Sequence, residues 1–328
     1  HIMNTTDNRT CPITFGPISN VLMSIYIVVF VIGVLANLLT LGPIIQQVRS
    51  HNVLGVYLLN LFSISDLLYI FTMPLWIYYY HMDHKWGLGH FACHLAGFLY
   101  YSNMYVSIYL LCCISIDRCL AVTYPLRAKA FRRSRYAWLV CLSVAVCVMG
   151  LHLIMIQVNH KEDDQNKRCY ESYPLTTAIA RFNFLRVAFG FLAPLVILIF
   201  CYTRIFHKVR RSSVEDRGKR KVKLLSIGVI AIFSFCFAPY HILLFLRTLV
   251  FSLYKEGSCT FENNVHIYFT TSLAMSSLNS VVDPVLYMLV SNGILEDMRQ
   301  FCWQKVPLGR KSITSPPLSP TNMTSFTL

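Results

Sequence analysis

The chain has 328 residues, of which 55% are hydrophobic and 13% charged, and a formal net charge of +14. So apolar a composition excludes a soluble domain of this size. The basic residues gather in a few stretches between apolar runs, which argues against a nucleic-acid-binding face and for membrane topology. Several runs reach the roughly 20 residues needed to cross about 30 Å of hydrocarbon, which favours helical spans over the ten-residue alternating strands of a β-barrel.

In chain order, His1-Ile2 ahead of Met3 reads as a cloning remnant, and residues 1–20 as an N-terminal segment. It carries two sequons, Asn4-Thr5-Thr6 and Asn8-Arg9-Thr10, so glycosylation is expected at Asn4 and Asn8. No cleavable signal peptide is expected, because the first apolar run is too long and lacks a small-residue cleavage site. Spans are then expected at Val21–Val48, Leu54–Tyr80, His90–Val122, Arg135–Val158, Thr176–Val209, Lys219–Phe251 and Phe261–Val290. The expected fold is therefore an all-α membrane protein, a seven-transmembrane helix bundle over residues 21–290. Lys and Arg fall after spans one, three and five and in the C-terminal tail, as at Arg132, Arg133, Lys208, Arg210 and Arg211. By the positive-inside rule those segments are cytoplasmic and the N-terminus is extracellular, in a multi-pass plasma-membrane protein.

Asn37, Asp66, Asn103, Ser107, Asn279, Ser280 and Asp283 are polar groups inside apolar spans and predict a shared buried network. Its two carboxylates suit a sodium ion or a shared proton; no other cofactor and no metal cluster is expected. Pro74, Pro194, Pro239 and Pro284 fall inside spans two, five, six and seven, where each removes a backbone hydrogen bond and can kink its helix. The stretch SIDRCLAVTYP sets Asp117-Arg118 at the end of the apolar run YVSIYLLCCISI. A charge at mid-bilayer costs roughly 2.5–3.5 kcal/mol, so this pair belongs at the membrane boundary.

Four cysteines lie in segments expected outside: Cys11, Cys93, Cys169 and Cys259. Four allow three pairings. A Cys93–Cys169 bridge would pin the loop after span four over the bundle, leaving Cys11–Cys259 to tie the N-terminus to the last outer loop. Residues 291–303, containing NGILEDMRQFCW, predict a short amphipathic helix on the inner membrane face, with Cys302 a palmitoylation site. Residues 304–328 are rich in Ser, Thr and Pro and predict a disordered cytoplasmic tail that phosphorylation would turn into an arrestin-binding segment.

Two ligand chemistries are legible. His81, His84, His90, His94, His152, His160, His241 and His266 map to the outer half, with Asp83, Glu162, Asp163, Asp164 and Glu171 as partners. Histidine changes charge between about pH 5 and 8, so these residues, with Asp66 and Asp283, are candidate proton sensors. Alternatively, Arg186 and Arg247 present two guanidinium forks in apolar surroundings, suited to the head of a lysophospholipid or an oxidised or acylated fatty acid. Tyr100, Tyr101, Met104, Phe189, His241 and Phe245 would line the pocket for its tail. An enzyme or pump is not expected, since no HExxH, Gly-x-Ser-x-Gly or span-seven lysine occurs. A transporter, the remote alternative, would more often show repeated halves, and seven spans do not divide that way.

LANLL around Asn37, LFSISDLLY around Asp66, Cys93, IDRCLAVTYPLR around Arg118, FLAPL around Pro194, FCFAPYH around Pro239 and NSVVDPVLY from Asn279 to Tyr287 occur in order along the chain. Together they make the chain resemble a rhodopsin-like G-protein-coupled receptor over nearly all its length. HNVLGVYLLNL, MPLWIYYYHMDHKW and FLRVAFGFLAP are further similar to its proton-sensing and lysolipid group. The resemblance implies that Asp117 restrains Arg118, that activation frees Arg118 to meet a heterotrimeric G-protein, and that Tyr287 belongs to the same switch. Three positions depart from the family: Cys119 stands for the usual Tyr, span four lacks its mid-span Trp, and Lys219 stands where many relatives carry an acid, which implies raised basal activity. No acid lies between Arg135 and Val158, where strongly proton-sensing members have one, and this keeps the lipid anion as the alternative ligand.

Overall fold

The computed structural model describes residue 11 and residues 13–15, 18–60, 65–124, 132–159, 168–210, 216–254 and 258–290, without the side chains of 158–159, 216–222, 225 and 285–290. All the elements it describes are helical. They are α1 (Ile18–Arg49), α2 (Val53–Leu58), α3 (Asp66–Ile70), α4 (Met73–His81), α5 (His90–Thr123), α6 (Ser134–Asn159), α7 (Thr177–Val187), α8 (Ala193–Arg210), α9 (Asp216–Ile232), α10 (Ala238–Leu253), α11 (Ser258–Ser276) and α12 (Asn279–Val290). π-helical turns at Ala188–Leu192 and Phe233–Phe237 join α7 to α8 and α9 to α10.

Among the described residues five continuous helical stretches are long and apolar enough to cross a membrane: Ile18–Arg49, His90–Thr123, Ser134–Gln157, Thr177–Arg210 and Ser226–Leu253. The expected second and seventh spans are broken instead. Residues 71–72 form a turn before Pro74, and Ser277 and Leu278 a turn between α11 and α12. Proline explains most of the irregularity, because it lacks an N–H and its ring crowds the carbonyl four residues back. Pro194 and Pro239 each follow a π turn, whose wider loop takes up that crowding.

Burial is inverted relative to a water-soluble protein. Leu35, Phe71, Val196, Phe200, Phe235 and Tyr268 are exposed, whereas Asn37, Asp66, Ser107, Ser280 and Asp283 have no accessible surface. Such a surface is stable against hydrocarbon, where helices satisfy their own backbone groups. α5 is the central helix: it packs against α8 on one side and α6 on the other. α1 lies on α4 and α12, and α10 on α7 and α11.

The expected disulfides are present. Cys93 at the start of α5 bonds Cys169, and Cys11 bonds Cys259 in the first turn of α11. Cys11, Ile13 and Tyr173 form a small buried cluster against which Phe15 and Cys259 pack, seating the N-terminal strap. Asn4, Asn8, His160, Cys302, the amphipathic segment and the tail lie outside the described residues.

Candidate functional site

The disulfide end is built around His84. After α4 the chain reverses through Asp83 and His84, whose φ of 48° and 60° lie in the left-handed region that side chains other than glycine seldom adopt. The reversal buries the His84 ring against Tyr79 and Tyr80, with centroids 5.4 and 5.0 Å away. Its Nδ1 stands 2.9 Å from both carboxylate oxygens of Glu171, and the two side chains are 1% and 9% exposed. Glu171 is delivered by the Cys169 bridge two residues earlier.

Phe15 covers the pair. Its ring stacks on His84 at 4.1 Å, meets His266 edge-on at 5.8 Å and lies under the Arg168 guanidinium at 4.8 Å. The strap is held by Cys11 N–H donating to the Tyr173 carbonyl (3.3 Å) and Thr14 N–H to Asn263 Oδ1 (3.2 Å). Burial and the Glu171 carboxylate push the Tyr173 phenol well above its ordinary value, so it stays neutral through the physiological range. Of the other histidines in the sequence argument, His81 is exposed, and His90 and His94 face each other at the start of α5.

Deeper in lies a chamber around Arg186. Its guanidinium lies over Tyr101 at 4.4 Å, with Phe182 at 5.0 Å and Tyr105 at 5.9 Å. Nη2 reaches the Met155 sulfur at 2.9 Å, and the buried Nε has no hydrogen-bond partner. Among the described residues no carboxylate pairs with it. His241 donates from Nδ1 to the Phe237 carbonyl (2.8 Å), which leaves Nε2 to accept the Tyr105 hydroxyl at 3.2 Å. His152 points Nδ1 at the Val148 carbonyl (2.9 Å) and stacks on Tyr105. Gly190 makes room for the Tyr105 ring, which a Cβ there would strike. Tyr100 and Met104 are buried on the same helix, with the Tyr100 hydroxyl donating to the Leu273 carbonyl at 2.6 Å.

Three of the expected ligand residues have other surroundings in the structure. Arg247 is already paired: its Nε donates to Glu262 Oε2 at 2.7 Å, and its guanidinium sits between the Phe269 and Tyr173 rings. Phe189 and Phe245 are 62% and 40% exposed on the outer apolar surface. Phe189 sits in the π turn, where the helical phase changes. Phe245 lies between the buried positions Leu244 and Arg247, on the opposite face.

Hydrogen bonds join four of the polar span residues, Asn37, Asp66, Asn103 and Ser280. Ser280 Oγ donates to Asp66 (2.8 Å), and Asn37 Nδ2 donates to the carbonyls of Ser280 (2.8 Å) and Gly33 (2.9 Å). Asn103 bonds Ser65 through Oδ1, and its Nδ2 lies 3.4 Å from Ser280 Oγ. Asp283 stands beside Asp66. Asp66 Oδ2, both Asp283 oxygens, Asn37 Oδ1, Ser107 Oγ and Asn279 Nδ2 are buried without hydrogen-bond partners. Oxygen atoms in that state are the donor set of a small hard cation, or of a carboxyl that keeps its proton.

At the opposite end of α5, Asp117 pairs with Arg118, Nε to Oδ2 at 3.0 Å. Arg132 adds a second fork, with Nε to Oδ1 at 2.6 Å and Nη2 to Oδ2 at 3.0 Å. Tyr202 and Ser115 share a buried hydrogen bond of 2.7 Å between α8 and α5. The side chains of Lys219 and Tyr287 lie outside the described residues.

Sequence reasoning missed Glu262, Phe15 and the role of Arg132. A signal for Glu262 existed: a buried arginine in a span demands a counter-charge, and Glu262 is the one acid in SCTFENNVHIYFTTSLAMS. For Phe15 there was none, since a strap's resting place depends on where its disulfide closes.

Residues 36–287 match the family described as 7 transmembrane receptor (rhodopsin family). The chain is 38% identical over 289 residues to the mouse (Mus musculus) protein named Probable G-protein coupled receptor 132, covering 86% of this chain and 74% of that one. It is 37% identical over 301 residues to mouse G-protein coupled receptor 68, covering 90% and 80%. With mouse Lysophosphatidic acid receptor 6 it shares 31% identity over 284 residues, covering 84% and 82%.

Proposed function

Because the chain belongs to the rhodopsin family of seven-transmembrane receptors, we propose that it reports extracellular acidification to a heterotrimeric G-protein through the His84–Glu171 pair. It is a multi-pass plasma-membrane signalling receptor, not an enzyme. Counting α2 to α4 as one interrupted span and α11 with α12 as another makes seven, followed by the amphipathic helix at 291–303. The disulfide end, with the N-terminus, is then extracellular, as disulfides require, and the Asp117 end cytoplasmic.

The observation that carries the reading is a nearly dry imidazole held at 2.9 Å from both oxygens of a carboxylate. Histidine gains its charge in the range of acidified tissue. A charged His84 facing Glu171 makes a charge-assisted contact roughly twice as strong as a neutral one. It fastens the Glu171 loop to the end of α4, and the Cys93–Cys169 bridge passes that constraint to α5. The arrangement that makes the better pair gains population as pH falls. At the far end of α5, release of Asp117 frees Arg118 for the G-protein. Midway, Asp66, Asp283 and Ser107 hold a sodium ion or a proton, and the phosphorylated tail recruits arrestin.

A second reading rests on Arg186, whose Nε has no partner. A lysophospholipid phosphate or fatty-acid carboxylate would supply one, with Tyr100, Tyr101 and Met104 around the chain. One relative is named for lysophosphatidic acid.

The deciding experiment is second-messenger output (cAMP, inositol phosphates, Rho reporters) in cells expressing the receptor in lipid-stripped medium, stepped from about pH 8 to pH 6. A sigmoidal rise absent from control cells and moved by His84→Phe supports proton sensing. A flat trace overturns it and leaves Arg186 and an anionic lipid.

A further inference from the structure

Toward the Asp117 end, α5 and α8 lie side by side, joined by the buried Ser115–Tyr202 hydrogen bond of 2.7 Å. Each helix turns an apolar stripe outward. On α5, Ile116 and Leu120 share a face, are each 39% exposed, and are followed at the same spacing by the exposed Tyr124. On α8, the exposed Val196 and Phe200 share a face and are followed at the same spacing by the exposed Arg204 and Lys208. The stripes meet where the Arg204 guanidinium lies 5.9 Å from the Phe200 ring and Nη2 donates to the Tyr124 hydroxyl at 3.5 Å.

A bilayer accounts for the apolar part of these stripes and leaves Arg204 to be explained. Cations in the last turn of a helix complement the negative end of its dipole, as His207, Lys208 and Arg210 are placed to do on α8. Arg204 stands before that turn, next along the stripe from the lipid-facing Phe200. At 1.5 Å per residue, Arg204 lies about 6 Å further along the axis than Phe200, and Lys208 about 6 Å beyond Arg204. The stripe therefore passes from acyl-chain depth to one cation and then to a second, at two separate levels.

That order selects a ligand. The cytoplasmic leaflet is rich in anionic headgroups, and basic niches between helices on that side bind them. A phosphoinositide carries a phosphodiester at its glycerol and monoester phosphates across the inositol ring, which makes two levels of negative charge. We propose that Tyr124, Arg204 and Lys208 form a niche for a polyphosphorylated phosphoinositide of the inner leaflet. The phosphodiester meets the Arg204 fork and the Tyr124 hydroxyl, a ring phosphate meets Lys208, and an acyl chain lies along Leu120 and Phe200. The lipid then bridges α5 and α8 beside the Ser115–Tyr202 bond and holds their spacing. The inference rests on the cytoplasmic orientation of the Asp117 end, and it holds whichever ligand acts at the outer face.

The test titrates the full-length receptor, purified in detergent, with phosphatidylinositol bisphosphate and with phosphatidylserine, and counts bound lipid by native mass spectrometry. One phosphoinositide is expected to bind well below the concentration at which phosphatidylserine adds. Arg204→Ala and Arg204→Gln should each weaken that first adduct about ten-fold, the loss of one hydrogen bond to a charged group. Lys208→Ala should weaken it too, while Arg49→Ala, at the exposed end of α1, should leave it unchanged. The lipid should also raise the thermal midpoint of the wild type and of Arg49→Ala more than that of the Arg204 variants, which reads binding on folded protein. Equal affinity for the two lipids overturns the proposal, because one level of charge would then suffice. So does an equal loss in Arg49→Ala and Arg204→Ala, which would mark diffuse attraction to basic residues. Equally tight binding of soluble inositol trisphosphate overturns it as well, since the acyl stripe would then play no part.

Discussion

Arg247 and Glu262 form an ion pair whose side chains are 5% and 1% exposed, closed at 2.7 Å between α10 and α11. One of the two arginines available to an anionic ligand is thus already neutralised, and the two should differ sharply on mutation. Removing one partner from a buried pair costs about 3–5 kcal/mol because the other charge is stranded. Arg247→Ala should therefore lower the thermal midpoint and surface expression, and Arg247→Met with Glu262→Leu should recover much of the loss. Equal stability of Arg247→Ala and the wild type in a detergent melt would contradict this.

Among the described residues Arg186 has no such counter-charge. Arg186→Ala should leave folding close to the wild type while weakening an anionic lipid by about 10- to 150-fold, the range of one or two charge-assisted hydrogen bonds. Concentration–response curves with a lysophospholipid and its uncharged analogue test this, the analogue being insensitive to the substitution.

His84→Phe keeps the ring stacked on Phe15 and removes the charge. Glu171→Gln keeps the shape and removes the carboxylate. In both the acid-favoured arrangement loses its ion pair, so more acid is needed. The half-maximal response should move to lower pH by about one unit, equivalent to about 1.4 kcal/mol. A pH titration of second messenger in which neither variant moves the midpoint would refute the pair's role.

Tyr173 supplies the control. Its phenol is raised by burial and by Glu171, so folded protein holds that proton where an unfolded chain releases it, above about pH 10. Stability from this group is full below that pH and is lost as pH rises further. Tyr173→Phe should leave the response between pH 8 and 6 unmoved, while blunting the alkaline fall in thermal midpoint.

Arg132 holds Asp117 with two contacts, so Arg132→Ala leaves Asp117 to Arg118 alone. With no competing guanidinium the Asp117 carboxylate should hold Arg118 more firmly, and basal G-protein turnover in membranes should fall. Unchanged nucleotide exchange would show that Arg132 only positions its loop.

Much of this site can be read along the chain, and the divide has a physical basis. Asn37, Asp66, Asn103 and Ser280 are legible because a polar group in a hydrocarbon-length helix must find a partner, and the candidates are few. Four cysteines on an outside face leave three pairings, and the expected one was that which pins the loop after span four over the bundle. Phe189 was misplaced because the turn at Ala188–Leu192 holds an extra residue, and a 3.6-residue period carried across it loses phase. Arg132 looked like one of many cytoplasmic cations, since the charge rule that sets topology does not say which of them turns back to meet a carboxylate. Glu171 was visible as one acid among several. Its selection depends on the Cys93–Cys169 bridge and on two left-handed residues that no periodicity encodes.

The cap over His84 also sets an order of events in biosynthesis. Cys11 and Cys259 are separated by 248 residues. A ribosome adding about 5–20 residues per second needs roughly 12–50 s between them. Until then the strap that carries Phe15 has no anchor, and the nascent receptor exposes the imidazole it will later cover. The strap can therefore close over His84 only after Cys259 has been made and has reached the oxidising secretory lumen.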